Sequence, residues 1–191
     1  MVKSSMIFFL VLLNLNGLHA QTKYEKEDRI KASEVPPAAI DFVDQLGFVK
    51  KIKWYIEEGL DRMTYEAKTK HRSKKYSIEF SKNGNIEDIE IEIKMDDVEF
   101  IPNAAIVSHL VGSYTRFKIC KVQRQYTGPP SEMMTVTQDG VVSEQLTINY
   151  EVVAKVKKDK VFQEMEFLYD SEGRLISEVI IVQKNTDHLE Y

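Results

Sequence analysis

The apolar positions of this chain change their period at Gly47. Before it, Ala39, Ile40, Phe42, Val43 and Leu46 recur at helical spacing; after it, Ile52, Trp54 and Ile56 alternate with Lys51, Lys53 and Tyr55. The first spacing collects side chains on one stripe of a helix, and the second collects them on one face of a strand. The pattern predicts a helix over about 36–46, with Ser33 as its cap, Pro36 and Pro37 in the first turn, and Gly47 as its stop. Three more alternating runs follow, built on Met63, Tyr65 and Ala67, on Tyr76, Ile78 and Phe80, and on Ile89, Ile91 and Ile93. Asn83-Gly84 separates the last two, and Asn-Gly between alternating runs is the strongest short-range signal of a hairpin. The expectation is a helix followed by a four-stranded antiparallel meander, its apolar face under the helix and its charged face in water.

Much of this pattern recurs. Val35-Pro36-Pro37-Ala38-Ala39-Ile40 is echoed by Ile101-Pro102-Asn103-Ala104-Ala105-Ile106, Tyr65-Glu66-Ala67 by Tyr150-Glu151-Val152, and Phe80-Ser81-Lys82-Asn83-Gly84 by Tyr169-Asp170-Ser171-Glu172-Gly173. Self-similarity at a domain-scale interval predicts an α+β fold of two tandem units. Each unit is a helix followed by a four-stranded antiparallel meander, with the helices on one side of the sheet or sheets. The expected divisions are a signal peptide at 1–20, a flexible charged leader at 21–33, a first unit at 34–97, a second at 98–185 and a tail at 186–191. The leader is inferred from the density of Lys, Glu and Asp between Gln21 and Glu34.

The second unit departs from the first at about 127–148, where Thr127-Gly128-Pro129-Pro130 and Asp139-Gly140 suggest a loop and an extra or lengthened hairpin. It departs again on the face that should be wet. Alignment on Tyr150, Tyr169 and Ile180 puts Val153, Phe162, Leu168, Val179 and Ile181 on the side away from the helix. Five such residues would form an apolar patch of the kind that marks an interface. They are candidate partner-binding residues, together with Tyr55, which has solvent parity beside the core-parity Trp54.

Charge narrows the function. The chain carries 30 acidic against 26 basic side chains with the signs interspersed, and no basic stripe is available to neutralise phosphates, so nucleic acid is not an expected partner. The basic cluster Lys68, Lys70, His71, Arg72, Lys74 and Lys75 reads as a solvated turn. Glu66, Glu79, Asp88, Glu90 and Glu92 share parity with Lys51, Lys53, Lys68, Lys75 and Lys94, which reads as cross-strand charge pairing on a wet sheet face. At the N-terminus, Lys3 precedes the apolar run from Met6 to Leu13, and Gly17-Leu18-His19-Ala20 closes the segment. That is the layout of a secretory signal cleaved before Gln21, and the run is too short for a spanning helix. The expected destination is the periplasm or the extracellular space, without stable membrane insertion. The lone cysteine, Cys120, leaves no intramolecular disulfide and is expected to be a buried or half-buried small apolar side chain.

Catalytic motifs are missing from the sequence. His71, His109 and His188 lack metal-ligand spacing, and there is no Gly-x-Ser-x-Gly elbow, phosphate loop or dinucleotide glycine pattern. No catalytic, cofactor-binding or metal-binding residue is expected, and no cofactor.

A helix opened by Val-Pro-x-Ala-Ala-Ile, then Lys50-Lys51-Ile52-Lys53-Trp54-Tyr55, Tyr65-Glu66-Ala67 and Ile78-Glu79-Phe80-Ser81-Lys82-Asn83-Gly84, resembles the PepSY-like family of exported bacterial proteins, related in fold to β-lactamase inhibitor proteins. The resemblance covers about 33–95 closely and about 99–184 more loosely, with no Trp at the position of Ile119. It implies a helix-plus-sheet unit in tandem, no cofactor, and a role in binding or inhibiting another protein. The expected function is therefore an exported, non-enzymatic binding protein that contacts a protein or peptide through a sheet face. The alternative is a carrier that holds a small apolar ligand between helix and sheet.

Overall fold

The computed structural model describes residues 21–59, 62–158 and 160–183, with side chains for 27–59, 62–157 and 160–182. Both the signal peptide and the 186–191 tail lie outside the described residues. The strands are β1 (Gln21–Ile30), β2 (Lys53–Glu58), β3 (Met63–His71), β4 (Lys74–Ser81), β5 (Ile86–Ile93), β6 (Arg116–Thr127), β7 (Thr147–Lys158), β8 (Val161–Asp170) and β9 (Leu175–Gln183). The helices are α1 (Pro37–Gln45), α2 (Phe100–Ser113) and α3 (Pro130–Asp139). Among the described residues, no helix is long and apolar enough to cross a membrane.

Among the described residues all nine strands belong to one sheet in sequence order, and this corrects the expectation of two helix-plus-four-strand units. The ladder does not stop between the expected units. β5 pairs antiparallel with β6 from Ile89 opposite Tyr126 to Ile93 opposite Val122. The sheet also closes on itself, because β1 pairs antiparallel with β2 and parallel with β9, making a barrel. Self-similarity describes what each copy resembles but carries no information about which strand of one copy meets the other.

Two segments differ from the sequence expectation. The charged stretch at 21–30, expected as part of a leader, is β1, with Ile30 opposite Trp54, and Lys68 of β3 bonding Glu27 at 2.9 Å. The insertion near 127–148 holds α3 rather than an extra hairpin. Pro130 sits in its first turn, Met133, Val136 and Thr137 face inward at helical spacing, and Gly140 ends it with φ 74°.

The outer face of the barrel carries the apolar cores. Under α1 and α3, Ala39, Phe42 and Val43 meet Trp54, Ile78, Phe80, Ile89 and Met133; Phe80 lies edge-on to Phe42 at 5.8 Å. Under α2, Ile106 and Leu110 meet Val152, Met165, Phe167 and Tyr169. Gly84 (φ +81°) and Gly173 (φ +80°) let a turn pass close under each helix start. A Cβ on Gly84 would lie 2.8 Å from the Pro36 Cβ, and one on Gly173 would lie 2.6 Å from the Pro102 carbonyl oxygen. That contact explains why a Pro-x-Ala-Ala opening and a glycine turn occur together twice.

Candidate functional site

Alternation along the strands sends the remaining side chains to the inner face, and on β3 to β6 they are mostly polar. Glu66, Ser77, Asp88, Glu90, Gln123 and Glu151 are all buried. The expectation of a water-facing charged sheet is therefore overturned: closure of the barrel and the twist of neighbouring strands enclose this face. Its centre is a strip of carboxylates and amides. Gln123 Nε2 donates to Glu90 Oε2 at 2.7 Å, Gln125 Nε2 donates to Asp88 Oδ2 at 3.2 Å, and Asn149 Nδ2 donates to Gln125 Oε1 at 3.2 Å. Ser77 Oγ donates to Glu66. Burial, with the neighbouring Glu79 and Glu151, pushes the Asp88 and Glu90 carboxyls well above the ordinary carboxylate range.

At one end this face opens into a pocket of about 590 Å³. Its floor includes Glu66, Ser77 and Gln123, and its rim carries Lys50, Lys51, Lys53, Lys68, Lys70, Lys75 and Lys121 with Tyr55 and Tyr76. Three of these lysines are committed within the protein. Lys68 bonds Glu66 at 2.8 Å, Lys75 bonds Glu92 at 2.7 Å, and Lys121 bonds Glu151 at 3.1 Å. Burial acts to lower the pKa of Lys68, but the Glu66 and Glu27 carboxylates outweigh it and hold the ammonium charged. Lys50, Lys51, Lys53 and Lys70 have no carboxylate partner among the described residues. Seven lysines against Glu66 and Glu92 make a basic mouth in a chain whose net charge is −4. Low-dielectric walls concentrate that field.

The sequence candidates fall in different places. Tyr55 lines the pocket, half-buried, with Lys68 Nζ 4.9 Å above its ring. Trp54 is buried in the outer core against Phe80 at 5.9 Å. Val153, Phe162, Leu168 and Val179 occupy the inner-face register of β7 to β9, since Val153 pairs with Glu166, Leu168 with Glu151, and Val179 with Glu166. Ile181 lies two residues beyond Val179 on the same face. Val153 is buried, Leu168, Val179 and Ile181 are half-buried, and Phe162 is 62 % exposed under Lys157. None of these five lines the lysine pocket.

Tyr55 apart, the residues that do line it carry no site signal in the sequence alone. In the sequence Lys68, Lys70 and Lys75 read as part of a solvated turn, and the clue to their convergence is their shared parity with Lys51 and Lys53 on paired strands. Cys120, expected to be buried or half-buried, is exposed, at the bulge of β6 between Ile119 and Lys121. His109 is a packing residue, with Nδ1 2.8 Å from the Tyr169 hydroxyl and its ring against Phe167.

By sequence, the chain matches no protein-family model and no curated protein. By structure it resembles a DUF2874 family protein from Bacteroides ovatus, with a TM-score of 0.51 at 14 % identity over 76 % of this chain and 87 % of that one. A BLIP-like protein from Bacteroides fragilis gives a TM-score of 0.49 at 16 % identity over 81 % and 92 %. The likeness to the B. ovatus protein is one of fold alone.

Proposed function

We propose that this chain is an exported, non-enzymatic binding protein that receives an acidic segment of a protein partner in the lysine-rimmed pocket of its inner sheet face. The observation that carries the reading is the convergence of seven lysines on one 590 Å³ mouth, four of them without a carboxylate partner among the described residues. The volume lies within the range of binding sites, roughly 300–1,000 Å³. Tyr55 and Tyr76 add rigid aromatic surface of the kind that anchors interfaces. An acidic loop held there would be occluded from its own ligands, which is an inhibitor-like mode. Export rests on the signal-like segment at 1–20.

The test is fluorescence anisotropy with a labelled peptide of alternating Asp and Tyr. The reading expects saturable binding that weakens steeply between about 50 and 200 mM salt, since charge attraction is screened. Lys53→Glu/Lys70→Glu should lower affinity by about tenfold or more. Binding unchanged in that variant sinks the proposal.

A second cleft favours the carrier reading. About 480 Å³ lies between α1 and the ends of β1 and β2, lined by Ile30, Ile40, Val43, Ile52 and Trp54 among others. A carrier would show Trp54 fluorescence changing saturably with an apolar probe. An unchanged spectrum removes this reading.

A further inference from the structure

We propose that the lysine-bearing end of the barrel docks on an anionic lipid surface, which it meets with exposed apolar tips set among basic residues. The strand registers gather one set of connections at this end. Lys53 pairs with Lys68, His71 with Lys74, Ile93 with Val122, Arg116 with Lys157 and Lys158 with Val161. The approach to β2, the β3–β4 hairpin, the start of β6 and the β7–β8 hairpin therefore share one rim. Residues 50–53, 68–75 and 116–121 hold eleven Lys and Arg and no Asp or Glu, so the charge of this rim is of one sign. The opposite rim differs. Its connections carry Glu57, Glu58, Glu87, Asp170 and Glu172, and Arg62 and Arg174 there are held by Glu87 and Asp170.

Lysines alone would make a solvated rim, and a second, independent pattern separates this one from that background. Val49 precedes Lys50 and Lys51 and is 90 % exposed, more than any other large apolar side chain among the described residues. Val161 and Phe162 stand exposed on the β7–β8 hairpin beside Lys160, with Lys157 Nζ 5.6 Å from the Phe162 ring. Val141 and Val142 are exposed just after α3, and the end of α3 is tied to the same rim. Arg72 donates to the Gln138 carbonyl at 3.0 Å, and Gln138 Nε2 donates to the Gln45 carbonyl at 2.7 Å.

These tips sit on separate connections with lysines between them, so they do not form the contiguous centre around which a protein interface is built. They suit a headgroup layer. Such a layer accepts single apolar side chains to a depth of roughly 5–10 Å, while lysine stems lie along it and their ammonium groups meet lipid phosphates. Phe100 and Ile101 supply the contrast. They are also exposed, but they open α2 at the other rim, where Gly173 passes under Pro102 and Asp96, Asp97 and Glu99 come just before them. Anionic headgroups are repelled there. The proposal goes beyond the lysine pocket, because Val49, Arg72, Lys74 and Phe162 lie outside its lining. The pocket opens on the same end, so a docked lipid surface and a bound acidic segment compete for it.

The experiment is co-sedimentation of the processed protein, from Gln21 onward, with phosphatidylcholine vesicles containing about 30 % phosphatidylglycerol, beside vesicles of phosphatidylcholine alone. The proposal expects saturable binding to the anionic vesicles only, weakened about tenfold or more between about 100 and 500 mM salt. Each Lys or Arg at an anionic surface strengthens binding about fivefold, so Arg72→Glu/Lys74→Glu should lower it about 25-fold or more. Val49→Asp/Phe162→Asp should lower it about tenfold or more, with circular dichroism unchanged and, in lipid-free solution, the acidic peptide bound within about twofold of wild type. Absence of saturable binding of the wild-type protein to the anionic vesicles overturns the proposal. Full binding by the Val49→Asp/Phe162→Asp variant overturns it too, because the attachment is then adsorption by charge alone. Loss of peptide binding in that variant, with no vesicle binding by wild type, assigns this end to a protein partner instead. Should the double variant not fold, Val49→Asp, on an exposed loop, takes its place with the same direction expected.

Discussion

On the outer face of β4 and β5, Ile78, Phe80 and Ile89 are fully buried against apolar neighbours beneath α1. One residue along the same strands, Ser77, Asp88 and Glu90 are almost as buried, but against carboxylates and amides on the inner face. The two faces share backbone, register and burial, and differ in what burial is worth. Apolar burial stabilises by roughly 25 cal/mol per Å². Burial of a carboxylate stabilises only when its charge and each of its oxygens are matched. The outer face therefore holds the fold, while the inner face, being costly to enclose, is where a ligand can contribute.

Breaking the outer face should have the largest effect. Phe80→Ala or Phe167→Ala should cost about 3–5 kcal/mol in a denaturant titration, because each leaves a cavity among fully buried neighbours. Gly173→Ala should cost about 1–3 kcal/mol, since it places a Cβ at positive φ against the Pro102 backbone.

The inner face should respond with the opposite sign. Glu90→Gln keeps an acceptor for Gln123 and removes a buried group whose charged form is disfavoured, so it should stabilise the protein, and more at high pH than at low. The pH dependence follows the same logic. Asp88 and Glu90 titrate higher when folded than when unfolded, so between an ordinary carboxylate pKa near 4 and their raised values the folded state binds more protons. Stability contributed by these two groups is present at low pH and is lost as pH rises through that window. Thermal midpoints measured from pH 5 to 8 should fall less steeply in the Glu90→Gln variant. The smallest effect is expected at exposed pairs: Lys75→Gln, which breaks the bond to Glu92, should change stability by less than about 1 kcal/mol.

What the sequence revealed divides along the same line. The helix expected at about 36–46 is α1 at Pro37–Gln45, and the alternating runs are β2 to β5, because local period is decided by which side chains meet the core. The strand at 21–30 was hidden because its Lys, Glu and Asp residues mimic a solvated leader. The helix at 130–139 had a readable signal in Pro130 followed by Met133, Val136 and Thr137, which turn cues at Gly128 and Gly140 masked. Burial of Glu66, Asp88 and Glu90 was not legible at all. It depends on barrel closure between β1 and β9, from opposite ends of the chain, and a wet face and an enclosed polar face have the same alternation. The lysine mouth is hidden for the same reason, since its lysines come from separate segments, Lys50 and Lys53 from the stretch that opens β2, Lys70 from β3 and Lys121 from β6.

The most direct test of the inner face as the binding surface is nuclear magnetic resonance mapping of backbone amide shifts as the acidic peptide is added. The account predicts saturable changes concentrated at 50–55, 66–70, 75–77 and 121–123, with Phe100, Ile101 and the α1 contacts unchanged. Changes centred on the exposed Phe100 and Ile101 of α2, or on Phe162, with the lysine mouth silent, would contradict it.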